Sequence, residues 1–430
     1  MMEFYFSYED GIPLLAMAGA FAITYLATPV IIRLSYMKHL FDDPEDDRKL
    51  HTDHTPNLGG AAIFAGLAIA FLLSGYAALP WVPLLMAGLI TLFFSGIKDD
   101  IMTISPWKKL ALQVLAIAVP ILGADVVITH LGGMFGLETI PLWAGMPLTF
   151  FTMIVVVNAF NLIDGIDGLA GGVGIIVSSF FGFWFWSAGL LPETILSLSL
   201  AGALLAFLRF NAEPASIFMG DTGSQVVGYV LSFLAVRFVD FGITSESSVL
   251  FKNEIPVLIL AVLIVPLYDT LRVFLLRVLK GRSPFSADRL HVHHQLIDAG
   301  FSHMTSSLII YGLNLVVMAA AILMAGFNVN LIFAGILALA VILFPTKGLK
   351  RSVLQKLGIS LPSARHINVL ERKYGFTEKP IGRDLLVTNG GTENSNGNGR
   401  GSKDDHPSST ADSHRDEEEE YEQEGSALKF

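Results

Sequence analysis

The sequence predicts an all-α, polytopic membrane protein of about eleven transmembrane helices. Three observations carry that expectation. Of 430 residues, 53% are hydrophobic and only 15% are charged, a balance foreign to ordinary soluble domains. The mean hydropathy is +0.59. The apolar residues also come in runs long enough to approach the roughly 17 residues a bilayer crossing needs. No cysteine is present, which excludes disulfide and thiolate chemistry.

In chain order the runs fall near residues 12–34, 59–78, 80–97, 109–123, 142–162, 169–188, 191–209, 224–238, 254–279, 305–325 and 328–345. Glu3, Glu9 and Asp10 precede the first run where a cleavable leader would be basic, so that run reads as a span. The third, seventh and ninth runs end at Lys98, Arg209 and Lys280. With Lys38, Arg48, Lys49, Lys108, Arg282 and Arg289, these place the basic residues in alternate loops. The positive-inside rule then sets the N-terminus outside and the catalytic face and tail in the cytoplasm, with Arg237 and Lys252 as exceptions. Pro266 lies mid-run in the ninth span and should kink it. Asp269 and Arg272, spaced i, i+3 there, read first as a structural ion pair.

The chain divides into a membrane-embedded domain over 1–345, a juxtamembrane cytoplasmic segment over 346–388 and an acidic tail over 389–430. The middle segment mixes basic and apolar positions such as Lys350, Leu354 and Leu357, suiting an amphipathic helix on the inner leaflet. The tail lacks apolar content and is expected to be disordered. Residues 391–430 hold eleven Asp and Glu against four Lys and Arg, so −7 of the net −10 sits there and −3 elsewhere. Such a surface does not suit nucleic acid.

Function is concentrated in polar islands between the runs. The central one is Asn158-Ala-Phe-Asn161-Leu-Ile-Asp164-Gly-Ile-Asp167-Gly-Leu-Ala-Gly171-Gly172, with amides and carboxylates at every third position. Acids at a membrane helix end are costly unless paired, hydrated or metal-bound, so function is the default expectation. Four more islands contain Arg48, His51 and Gly59-Gly60; Asp99-Asp100 with Lys109; Phe218-Met-Gly220-Asp221; and Asp288-Arg289-Leu-His291-Val-His293-His294. The loop pattern sets all five on one face. Together they offer acids for Mg²⁺ or Mn²⁺, glycines for close phosphate approach and cations for phosphate charge. Zinc at His291, His293 and His294 is the competing idea, but Arg289 and Asp288 alongside suit an anionic substrate better. A transporter would hold its acids near the bilayer midplane rather than crowd them on one face.

With these motifs in order, residues 12 to about 345 resemble the polyprenyl-phosphate N-acetylhexosamine-1-phosphate transferase family. The resemblance is to its bacterial undecaprenyl-phosphate N-acetylglucosamine-1-phosphate transferase branch. It implies an Mg²⁺-dependent enzyme of the inner (plasma) membrane. That enzyme moves N-acetylglucosamine-1-phosphate from the UDP-sugar to undecaprenyl phosphate and releases UMP. The product would initiate cell-surface polysaccharide synthesis, and a homodimer is the candidate assembly. Carried over, Asp221 would bind the metal with Asn161 close by, and Asp99 and Asp100 would handle the acceptor phosphate, one as its base. Asp164 and Asp167 would hold the nucleoside diphosphate, with Asn158 in the same stretch, and Phe218 would stack on uracil beside Gly220. Arg48, His51, Lys109, Arg289 and the His291, His293 and His294 loop would bind phosphates. Some relatives carry a third acid three residues after the second Asp; here Thr103 stands there, which leaves metal binding mainly to Asp221. The phospho-N-acetylmuramoyl-pentapeptide transferases are the neighbouring branch, marked by contiguous histidines after a proline. An arginine before a spaced histidine triplet instead resembles the simple N-acetylhexosamine branch.

Overall fold

The computed structural model describes residues 8–38, 40, 55–244, 252–281 and 290–344. Arg48, His51, Arg289, the juxtamembrane segment and the acidic tail lie outside the described residues. In order come α1 (Tyr8–Lys38), α2 (Gly59–Leu72), α3 (Trp81–Ile101), α4 (Pro106–Gly123), α5 (Leu142–Ile163), α6 (Leu169–Ser187) and α7 (Leu191–Asn211). They are followed by α8 (Gly220–Thr244), α9 (Ile255–Val262), α10 (Ile264–Leu279), α11 (Val292–Asp298), α12 (His303–Leu323) and α13 (Val329–Leu343). Each apolar run is thus a helix or a helix pair. Among the described residues eight helices are long and apolar enough to cross a bilayer, or nine if α9 and α10 count as one span. α2 and α13, at 14 and 15 residues, fall short of a full span. The protein is a multi-pass membrane protein.

One element departs from the all-α expectation. Between α4 and α5 the strands β1 (His130–Met134) and β2 (Leu137–Thr139) pair antiparallel, with His130 opposite Thr139. Three to five residues with two glycines carry no period-2 alternation, so nothing in the sequence announced the hairpin.

The helices are arranged around α8. Of its most apolar stretch 78% is buried, against 22% for α1 and 28% for α4, so α8 is central while α1 and α4 are peripheral. Lipid tails are as apolar as leucine, so helices here associate through close packing rather than water exclusion. Small residues supply the closeness. A Cβ added at Gly60 would lie 2.1 Å from Gly223 N, and one at Gly96 would lie 2.3 Å from Thr222 Cα. α2 and α3 therefore lie backbone to backbone against the start of α8. Leu14, Leu26, Phe94, Phe151, Leu315 and Leu323 point outward. Trp107 at the start of α4 and Trp143 at the start of α5 are both highly exposed, as aromatic residues at headgroup level are.

The ninth run is bent by 76° between α9 and α10, and the break falls at Leu263, three residues before Pro266. A proline lacks the N–H that would reach the carbonyl four residues back, here that of Val262, and α9 ends there. The kink expected at Pro266 is a break one turn earlier.

Polar pairing marks both ends of the bundle. Arg237, an exception to the basic-loop pattern, donates to the buried Glu193 at 2.6 Å and lies over the Phe241 and Trp81 rings. Its charge is satisfied within the helices and says nothing about a loop's side. At the opposite end the ends of α3, α5 and α7 meet the starts of α2, α4, α6, α8 and α12 around the polar islands.

Gly60→Ala must push α2 off α8, at a cost of about 1–3 kcal/mol. A lowered thermal midpoint in detergent is expected. Gly312→Ala, with nothing within 4 Å of its added Cβ, should not lower the midpoint, since alanine is the better helix former.

Candidate active site

Two backbone strands of chain make the floor of the site. Phe218 N–H donates to Pro56 O at 2.7 Å, and Gly59 N–H and Gly60 N–H donate to Phe218 O and Met219 O at 3.0 and 2.9 Å. This zips the segment before α2 to the segment before α8, with the half-buried Phe218 between them. Gly220 then turns the chain into α8 with φ +71°. A Cβ there would lie 2.0 Å from Asn57 O and 2.8 Å from Asp100 Oδ1, so only glycine fits.

Asp100, near the end of α3, caps α8 from outside. Its Oδ1 accepts from Asp221 N–H at 2.7 Å, and its Oδ2 accepts from Thr222 N–H at 3.0 Å and from the Thr222 hydroxyl. A carboxylate on a helix N-terminus satisfies orphan donors and meets the positive end of the helix dipole. Both oxygens are committed, which marks Asp100 as the group that seats Asp221.

Asp99 and Asp221 share one cation. Lys109 Nζ donates to Asp221 Oδ1 at 2.7 Å and lies 3.0 Å from Asp99 Oδ2. Ile104 N–H adds a bond to Asp99 Oδ1 at 2.9 Å. The Asp99 side chain is 7% exposed and that of Asp221 30%, so Asp221 is the carboxylate that a ligand can reach. From α5, Asn161 donates to Asp221 Oδ1 and to Ser224 Oγ. One turn back, Asn158 exchanges bonds with Gln113 of α4, which aligns α5 with the helix that carries Lys109.

Asp164 closes the C-terminal end of α5 beside Gly220. Burial pushes its carboxyl up to about 8, with the charges of Asp221 and Asp100 adding to the effect. Among the described residues the acids there outnumber the cations, so an added cation would be favoured. Asp167 lies deeper and serves the turn. Its Oδ2 accepts from Ala215 N–H at 3.1 Å, its Oδ1 lies 3.3 Å from His303 Nδ1, and its carbonyl accepts from Ser307. Gly168 N–H donates to Asn211, and Tyr311 donates to Gly168 O.

The histidine loop adjoins this turn. A Cβ on Gly165 would lie 2.4 Å from His293 Nε2. Burial first, then neighbouring His294, pull His293 down to about 3, so it is a neutral partner at any working pH. The His293 ring lies 5.6 Å from that of His291 and 4.3 Å from that of His294. His291 Nδ1 is 2.9 Å from Asp269 Oδ2, a contact absent from the sequence reading. The expected Asp269–Arg272 pair does form, at 3.0 Å, but it is part of a larger constellation. The default suspicion that falls on intramembrane acids is the signal that could have found it. His303 carried no comparable signal.

Asn158, Asn161, Asp164, Asp167, Asp99, Asp100, Lys109, Phe218, Gly220, Asp221 and the His291, His293 and His294 triplet thus gather at one end of the bundle. Among the described residues, no three His, Cys, Asp or Glu side chains hold a ready metal cage. A zinc site is therefore not formed by the triplet alone. The oxygen-rich set around Asp221 fits a hard divalent ion that takes its remaining ligands from phosphates and water.

The family model for glycosyl transferase family 4 matches residues 82–239. A probable undecaprenyl-phosphate N-acetylglucosaminyl 1-phosphate transferase of Bacillus subtilis is 34% identical over 301 residues, covering 70% of this chain and 81% of that protein. A decaprenyl-phosphate N-acetylglucosaminephosphotransferase of Mycolicibacterium smegmatis is 32% identical over 331 residues, covering 70% and 80%. An undecaprenyl-phosphate alpha-N-acetylglucosaminyl 1-phosphate transferase of Escherichia coli K12 is 30% identical over 286 residues, covering 65% and 74%. The chain belongs to glycosyl transferase family 4 and is a membrane transferase.

Removing the Asp100 carboxylate strands two N–H donors at the head of α8, at roughly 1–3 kcal/mol each. Asp100→Ala is expected to lower the thermal midpoint as well as turnover. Asp221→Ala removes the more exposed carboxylate and should leave the midpoint near wild type while turnover falls at least about a thousandfold.

Proposed function

We propose that this enzyme transfers N-acetylglucosamine-1-phosphate from UDP-N-acetylglucosamine to undecaprenyl phosphate. The observation that carries the reading is the cluster of Asp221, Asp99, Lys109 and Asn161 at one end of a membrane bundle whose relatives bear that activity by name. An oxygen of the lipid phosphate attacks the β-phosphorus of the UDP-sugar. The bond between that phosphorus and the bridging oxygen breaks, and UMP leaves with the electron pair.

Asp221 and Asn161 would hold Mg²⁺, which when bound offsets phosphate charge and orients the diphosphate. Lys109 keeps Asp221 and Asp99 in place and offers its ammonium to phosphate oxygens. Asp164 and Asp167 border the nucleotide, and Phe218 supplies a ring for uracil. The histidine loop sits across the Gly165 turn from them, able to donate hydrogen bonds to phosphates. Asp99 and Asp100 are both engaged by donors, which supports direct attack by an ionised lipid phosphate rather than by way of a carboxylate base.

The topology follows the same reading. The eight long helices, the bent α9–α10 pair, α2 and α13 would make eleven crossings, with the N-terminus outside and the site in the cytoplasm of a cell with an inner (plasma) membrane. The 76° break would part α10 from its neighbours and admit a prenyl tail.

Offered UDP-N-acetylglucosamine and UDP-N-acetylmuramoyl-pentapeptide at equal concentration, with undecaprenyl phosphate and Mg²⁺, the purified protein should consume the former. Preference for the pentapeptide substrate would move the chain to the neighbouring branch. Chelation of divalent ions should stop UMP release, and Mg²⁺ or Mn²⁺ should restore it. Asp99→Asn should lower kcat with an unshifted pH–rate profile; loss of the acidic limb would instead assign Asp99 as a base.

A further inference from the structure

We infer that Asp269 is a positioning residue of the reaction, acting through His291. Asp269 lies in the second turn of α10, just beyond the helix break, and is 2% exposed. Its two oxygens are divided between two tasks. Oδ1 accepts from Arg272 and from Val292 N–H, each at 3.0 Å, which fixes the carboxylate and the start of α11. Arg272 also donates to Leu290 O, the residue before His291. Oδ2 faces His291 Nδ1 at 2.9 Å, with both side chains buried.

A buried carboxylate against one ring nitrogen selects the tautomer with its proton on that nitrogen. His291 therefore donates Nδ1–H to Asp269, and Nε2 is the ring nitrogen left to a ligand. His291 is thus the histidine of the loop whose ring a buried carboxylate orients directly. Among the described residues His293, His294, Arg272 and Tyr268 are other charged or titratable groups nearby. Arg272 is already turned to Asp269, and His293 is buried against the Gly165 turn.

The arrangement differs from a salt bridge that merely ties α10 to the loop. Arg272 with Val292 N–H and Leu290 O would do that through Oδ1 alone. The second oxygen adds nothing to that anchorage beyond its bond to the histidine. The role rests on the transferase reading given above.

A double-mutant cycle tests it, run with whichever UDP-sugar the wild-type enzyme turns over, so that a wrong sugar and a wrong pairing give different results. Asp269→Asn keeps the shape and an acceptor oxygen but removes the charge that selects the tautomer. It is expected to lower kcat at least about tenfold, in the range seen when a carboxylate behind a functional histidine is lost. KM for the UDP-sugar should stay within about threefold. In the His291→Ala background the same change should cost less than about twofold, because the residue through which it acts is gone. Full additivity of the two losses, or an Asp269→Asn loss that appears only in KM, overturns the inference. Asp269→Glu, which keeps the charge and displaces it by one methylene, takes the place of Asp269→Asn in the same cycle if the amide variant does not fold.

Discussion

The grip of Asp100 on the first N–H groups of α8 is the interaction on which the rest of the site depends. It joins the end of one helix to the start of another, and Asp221 is the second residue of the helix so held. From there the geometry spreads outward. Lys109 reaches the Asp221 carboxylate from α4, Asn161 reaches it from α5, and the zip between Pro56 and Met219 brings α2 alongside. These donors are among the N–H groups that a helix start leaves without intrahelical partners, so the cap fixes where α8 begins.

Glycine makes that closeness available. Gly60 faces Gly223, Gly96 faces Thr222 and Gly165 faces His293, each too near for a methyl group. Two of these contacts bring helix backbones together where side chains cannot interdigitate. The third lets an imidazole rest on the turn between Asp164 and Asp167. Packing and chemistry therefore share the same residues at the catalytic end of the bundle.

The two substrates belong to different phases, and the helices answer both. Exposed aliphatic side chains along α1, α4 and α12 meet lipid, while carboxylates, amides and cations collect at one end. The bent α9–α10 pair joins these requirements. α10 exposes Leu271 and Leu275, and its second turn carries Asp269, which holds the histidine loop.

The sequence by itself determined the helical class, the position of every apolar run and the identity of the polar islands. Run length and the cost of acids near hydrocarbon are local properties, legible without coordinates. Membership of one end of the bundle was legible too, because alternating basic loops carry the parity of the crossings. What those residues do to one another was not. Asp99 and Asp100 are adjacent in sequence, yet one faces Lys109 and the other caps α8, since successive helix residues point about 100° apart. The Asp269–His291 contact joins positions separated by 22 residues and a helix end. Likewise the pairing of Arg237 with Glu193 joins positions 44 residues apart. Only the tertiary structure decided them, because hydrogen-bond geometry depends on where helices cross, and a crossing leaves no mark on a single run.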